Sequence, residues 1–190
     1  MKKYPIIALL ICALAMPWIS SCNDDDDNQD IWSAYEKWRK ENDNWLAELQ
    51  GKKDETGNPY YKTIVPEWDP AAFVLIHYYN DRSKTEGKLS PMYTSTVDTR
   101  YIVHYYDGTP LDSSYNNSLY GPGIFRTQLS SVIPGWTIAL EDMRVGDTAE
   151  VIIPYEQAYG ANTSSGVVPY SALRYQIGLV DIPDYEKNPK

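Results

Sequence analysis

Val132-Ile133-Pro134-Gly135-Trp136-Thr137-Ile138-Ala139-Leu140-Glu141-Asp142-Met143-Arg144-Val145-Gly146 is the stretch that decides the architecture. Pro134-Gly135 and Gly146 punctuate it, and the apolar residues between them predict one short helix over Trp136–Met143. On both sides the period is that of strands: Phe73–Tyr79 and Thr96–Tyr106 before it, Thr148–Ile153 and Leu173–Ile182 after it. Each run is β-branched or aromatic and is bounded by turn residues. Several strands around one short helix imply an α+β domain with an antiparallel sheet.

Upstream, residues 30–50 carry the clearest helical pattern. Ile31, Tyr35, Trp38, Trp45 and Leu49 recur at steps near 3.6 residues, which puts them on one face. Asp30 can cap this helix, Ser33 and Glu36 have the spacing of a capping box, and Gly51 can close the end. Trp38 and Trp45 read as packing anchors. Residues 51–70 are rich in Gly, Pro and polar groups and read as a connector, Lys84–Pro91 reads as a polar loop, and the tail after Pro183 has no pattern. Ile76-His77-Tyr78-Tyr79 echoes Val103-His104-Tyr105-Tyr106, but a period seen once is two similar strands rather than a repeat architecture. The two histidines sit in these strands without a Ser, Cys or acid partner at a recognisable spacing, so both read as structural.

The chain has 190 residues, 43% of them hydrophobic, enough for a single core. Seventeen Lys and Arg against twenty-six Asp and Glu give a formal charge of −9, so no basic face for nucleic acid is expected. The aromatic composition is lopsided, with 17 Tyr and 6 Trp against 2 Phe, and Tyr and Trp suit half-wet grooves as well as cores. At the start, Lys2 and Lys3 precede an apolar run from Ile6 to Ile19, which reads as an export signal rather than a membrane span. Its end, Ile19-Ser20-Ser21-Cys22, resembles the lipobox of bacterial lipoproteins. That resemblance implies cleavage before Cys22, a lipid on its thiol, and a protein anchored to a bacterial membrane, the outer membrane facing periplasm or cell surface. With Cys12 discarded and Cys22 acylated, no disulfide or Cys-metal site remains for the folded domain, and no metal ligand set is read elsewhere. Residues 23–30, with four consecutive Asp, form a solvated tether.

Four separated segments then carry a resemblance. They are Val103-His104-Tyr105 with Leu111-Asp112-Ser113-Ser114; Val132-Ile133-Pro134-Gly135-Trp136 with Met143-Arg144-Val145-Gly146; Ile153-Pro154 with Ala158-Tyr159-Gly160; and Val168-Pro169 leading to Leu173-Arg174-Tyr175. In this order and spacing they resemble the FKBP family of peptidyl-prolyl cis-trans isomerases over about residues 95–183. The resemblance implies an FKBP-like twisted antiparallel sheet wrapped around one short helix, here preceded by an N-terminal helix. The expected division is signal peptide 1–21, acidic tether 22–29, helix and connector 30–70, FKBP-like domain 71–184 and tail 185–190.

Carried over by motif, Tyr105, Asp112, Ile133, Trp136 and Tyr159 are the expected catalytic set, and Leu111, Phe125, Val132, Val168 and Tyr175 the expected substrate-binding walls. No cofactor is implied. The implied partners are proline-containing polypeptides, and macrolides of the rapamycin type as inhibitors. Leu111 and Tyr175 stand where the family commonly has Phe, the hairpin Tyr106–Leu111 is short, and Gly160–Val168 lacks the usual double proline. Two other readings stay open: a non-catalytic peptide-binding or chaperone module on the same fold, and a surface lipoprotein that grips glycans with its aromatics.

Overall fold

A computed structural model describes residues 31–186. The export signal, Cys22, the acidic tether and the capping role of Asp30 therefore lie outside the described residues. The elements in chain order are helix α1 (Glu36–Gly51), strands β1 (Lys62–Ile64), β2 (Val74–Tyr78), β3 (Thr96–Tyr105), β4 (Pro110–Ser113) and β5 (Phe125–Gln128), helix α2 (Pro134–Asp142), and strands β6 (Thr148–Ile153) and β7 (Leu173–Asp184). Every strand pairing is antiparallel, in the order β1-β2-β6-β7-β3-β4, with β5 following β4 along the same edge of β3.

Alternation along the strands sends one set of side chains to each face of the sheet. Val74 and Ile76 of β2, Val151 and Ile153 of β6, and Leu173, Tyr175 and Ile177 of β7 join one buried cluster with Trp136, Ile138 and Leu140 of α2. Every α2 residue from Gly135 to Leu140 is buried, which is why this helix is apolar on all sides rather than striped. Gly135 is required by that contact: a Cβ there would stand 2.3 Å from Ile153 Cγ2. Gly135→Ala is expected to lower stability by about 1–3 kcal/mol through overpacking, read as a shifted denaturant midpoint at unchanged slope.

The opposite face carries α1. Leu75 and Ile152 are buried there with Tyr61, beneath Trp45, Leu46, Leu49, Tyr60 and Phe73. Trp38 and Trp45 thus act as packing anchors. The capping box does not form. Residues 31–34 are themselves helical, Tyr35 is the N-cap of α1 without a side-chain cap bond, and the Glu36 carboxylate is taken by Lys40. Gly51 is the last helical residue, and Lys52 is the C-cap in extended backbone. The apolar face also contains two buried polar residues, Arg39 and Asn42, which periodicity alone does not signal.

The connector is not passive. Its β1 pairs with β2, and Lys62 reaches Asp142 of α2 at 2.8 Å, so the expected boundary at residue 71 cuts the sheet. His77 stacks on Tyr60 at 3.9 Å and shares a 2.9 Å hydrogen bond with its carbonyl, a packing role in keeping with its place in a strand.

Candidate active site

The site grows from the N-terminus of α2. Ile133 is the N-cap residue, and as such its N–H stands outside the helix's own hydrogen-bond ladder. One turn on, Trp136 is 4% exposed and forms the floor of a cavity of about 280 Å³. Three rings meet it edge-on: Tyr101 at 5.2 Å, Tyr175 at 5.5 Å and Phe125 at 6.0 Å, with interplanar angles of 85°, 84° and 89°. Edge-to-face contacts of this kind hold each ring in one orientation. Tyr101 and Phe125 also meet at 5.6 Å. Val103, Leu111, Val132 and Ile133 complete the apolar wall, while Asp112, Tyr159 and the loop residues Ser165, Gly166 and Val167 form the rest of the lining.

Of the expected residues, Asp112, Ile133, Trp136, Tyr159, Leu111, Phe125, Val132 and Tyr175 all line this cavity. Tyr105 and Val168 do not. In the β3–β4 hairpin Val103 pairs with Asp112, so the ring beside that carboxylate is Tyr101, two residues away on the same face. Its hydroxyl donates to Asp112 Oδ2 at 2.6 Å. Tyr105 is the last residue of β3, at the four-residue turn 106–109, and the Asp112 carboxylate takes the Tyr101 hydroxyl. Tyr105 instead lies under the following loop, where its hydroxyl accepts the Val168 N–H at 3.3 Å. Val168 is held there by its backbone, and its neighbour Val167 faces the cavity. Counting the register outward from the turn at Asp107-Gly108 places Asp112 opposite Val103, with Tyr101 and Tyr105 as its two neighbours on that face.

Burial, and then the bond to Asp112, pushes the Tyr101 phenol well up, and burial does the same to Tyr175. Both remain protonated hydrogen-bonding groups across the neutral range. Tyr159 sits at the rim, 37% exposed, with its hydroxyl toward Tyr175.

Helix α1 grips the back of the loop whose front lines the cavity. Trp38 Nε1 donates to Ser171 Oγ at 3.0 Å, and Ser171 Oγ donates to the Val168 carbonyl at 2.6 Å. The Ala172 N–H donates to Asn42 Oδ1 at 2.9 Å, which explains a buried Asn on an apolar helix face. Arg39 stacks over Trp32 at 3.1 Å and faces Tyr170, whose φ of 60° is rare for an aromatic residue.

A twisted antiparallel sheet around a buried helix, with an aromatic cavity at the helix N-terminus and no charged group at its floor, defines a binding domain for an apolar ring or side chain. Residues 87–180 match the family model described as FKBP-type peptidyl-prolyl cis-trans isomerase. Over these residues the chain is similar to that family. A macrophage infectivity potentiator of Trypanosoma cruzi is 37% identical over 103 residues, covering 54% of this chain and 50% of the relative. The outer membrane protein MIP of Legionella longbeachae is 38% identical over 93 residues, covering 48% and 38%. The chain thus spans half or less of the length of these curated relatives. A crystal structure of a peptidyl-prolyl cis-trans isomerase from Pseudomonas syringae superposes with a TM-score of 0.59 at 26% identity, covering 78% of this chain and 95% of that one.

Proposed function

We propose that this chain is a peptidyl-prolyl cis-trans isomerase acting on proline-containing polypeptides outside the cytoplasm. The observation that carries the reading is the Trp136 floor ringed edge-on by Tyr101, Phe125 and Tyr175, a slot shaped for one apolar ring. Rotation about an X-Pro bond must break amide resonance at a cost of about 18–20 kcal/mol, and no bond is made or broken. The planar amide is more polar than the twisted one, so moving it from water into an apolar cavity disfavours the ground state relative to the transition state. Trp136 supports the proline ring, while the Ile133 N–H and the Tyr159 hydroxyl hold substrate carbonyls. Asp112 fixes the Tyr101 ring by its hydrogen bond, and Leu111, Val132 and Val167 keep water from the rotating bond.

The test is the exchange rate of Ala-Pro and Leu-Pro peptides with and without the protein. Tyr159→Phe removes one hydroxyl at constant volume, and a neutral hydrogen bond of about 0.5–1.5 kcal/mol translates into a loss of at most about tenfold. Leu111→Phe adds a ring to the wall and is expected to raise the rate. A rapamycin-type macrolide should compete for the same cavity. Wild-type protein that binds a proline peptide without accelerating exchange would instead establish the peptide-binding module.

The export signal and the Ile19–Cys22 motif support lipid anchoring at Cys22, with residues 22–29 as tether and the folded unit beyond. The printed name of the Legionella relative, an outer membrane protein, agrees with a membrane location. Among the described residues no helix is long and apolar enough to cross a membrane. Cys22→Ala is expected to release the protein from the membrane fraction, since a Cys carrying a diacylglycerol and an N-acyl chain exceeds the two chains that stable anchoring takes. Retention of Cys22→Ala on membranes after a high-salt wash would overturn the anchor.

A further inference from the structure

A second cavity, about 490 Å³ against the 280 Å³ of the first, runs along the outer side of α2. Trp68, Tyr93, Val132, Pro134, Thr137 and Glu141 are among its walls. Two features connect it to the aromatic slot. Val132 lines both cavities, and along one stretch of chain Ile133 and Trp136 face the slot while Pro134 and Thr137 face the groove. The groove therefore begins where the slot ends, one side chain away. Its two aromatic walls are open to solvent, Trp68 at 60% and Tyr93 at 57%. Its polar groups are largely engaged: the Thr137 hydroxyl donates to the Leu129 carbonyl at 3.2 Å, and the half-buried Glu141 carboxylate accepts the Tyr93 N–H.

We propose that this groove is a second subsite for the same polypeptide, taking an apolar side chain two to three residues from the proline. The inference rests on the isomerase reading for its first subsite. An extended chain advances about 3.3 Å per residue, so two to three residues carry it from the slot over the Val132 rim. Trp68 and Tyr93 supply flat apolar walls for a Leu, Met or Phe side chain, and Glu141 selects against an acidic residue there. Such a subsite favours unfolded segments rich in apolar residues over isolated X-Pro bonds.

The experiment compares, on the full chain, kcat/KM for a short Ala-Pro tetrapeptide with that for longer peptides carrying Phe or Asp two or three residues to either side of the proline. The Phe peptide is expected to exceed both the short peptide and the Asp peptide by about tenfold on one side of the proline, the range that apolar contacts in a pocket deliver. In the Trp68→Ala/Tyr93→Ala protein that ratio should fall to near one, through KM rather than kcat. Ser130 is a further wall of the groove, and Ser130→Phe, which fills it and leaves both rings in place, should do the same. A wild-type ratio near one for every long peptide, or a ratio that survives both variants, overturns the subsite. Should no peptide be isomerised, the isomerase reading fails by itself. Binding of the fluorescently labelled Phe peptide then decides the groove: tighter binding by wild type than by both variants supports it, and equal binding overturns it.

Discussion

Trp136→Ala is expected to cost about 3–5 kcal/mol of stability, the range for deleting a buried Trp, and to abolish the slot at the same time. The ring is almost fully buried, and Tyr101, Phe125 and Tyr175 all lean on it edge-on, so its removal leaves three aromatics without the surface that orients them. The cavity cannot collapse easily, because α2 is pinned on its other sides by Ile138, Ala139 and Leu140 in the core. Denaturant unfolding measures the stability, and peptide exchange below the new midpoint measures activity. Trp136→Phe separates the two effects, keeping an apolar ring in the floor with a smaller stability loss. If Trp136→Ala melts like wild type, the ring is not part of the core and the floor assignment is wrong.

The second large effect belongs to the N-terminal region. A chain that begins at Ala71 loses β1 as a partner of β2 and uncovers Leu75 and Ile152. It also loses Trp38 and Asn42 from the back of the cavity loop. The buried residues of the inner cluster between the sheet and α2 all lie beyond Ala71, and only Trp38 and Ile64 are lost from its margin, so a cooperative transition should survive. Two to three side chains' worth of burial at about 1.5–3 kcal/mol each places the loss at about 3–9 kcal/mol. Peptide KM should rise as well, because the Ser165–Val167 front of the loop loses the support behind it. A thermal melt without any cooperative transition would make the helix, β1 and the remaining sheet one folding unit. An unchanged midpoint would mean that the α1 contacts contribute nothing. Trp38→Phe isolates the loop effect, since it keeps a ring against Tyr105 and Tyr106 but removes the indole donor to Ser171.

The long elements were legible because their signals are local. Ten residues of β3, twelve of β7 and sixteen of α1 each repeat their period several times, so the pattern stands above chance. Strands β1, β4 and β5 have three, four and four residues, one or two alternations at most, and no periodicity can be read from so few. Their strand state comes from the edges they pair with: β2 for the first, β3 for the other two.

Sequence by itself determined the α+β class and one short apolar helix, expected over Trp136–Met143 and found at Pro134–Asp142, because these depend on side-chain pattern at short spacing along the chain; eight of the ten residues carried over from the family resemblance line the slot. Tertiary structure alone decided three things. It placed Tyr101 rather than Tyr105 beside Asp112, because both rings share a face of β3 and only tertiary contacts separate them: Asp112 accepts the Tyr101 hydroxyl, and the Val168 N–H donates to the Tyr105 hydroxyl. It placed Val167 rather than Val168 in the slot, because the Tyr105 hydroxyl and Ser171 hold the Val168 backbone. It also buried Asn42 on an otherwise apolar helix face, because the Ala172 N–H that satisfies it lies 130 residues away and meets it only when the chain has folded, whereas the buried Arg39 bonds and stacks on the nearby Trp32.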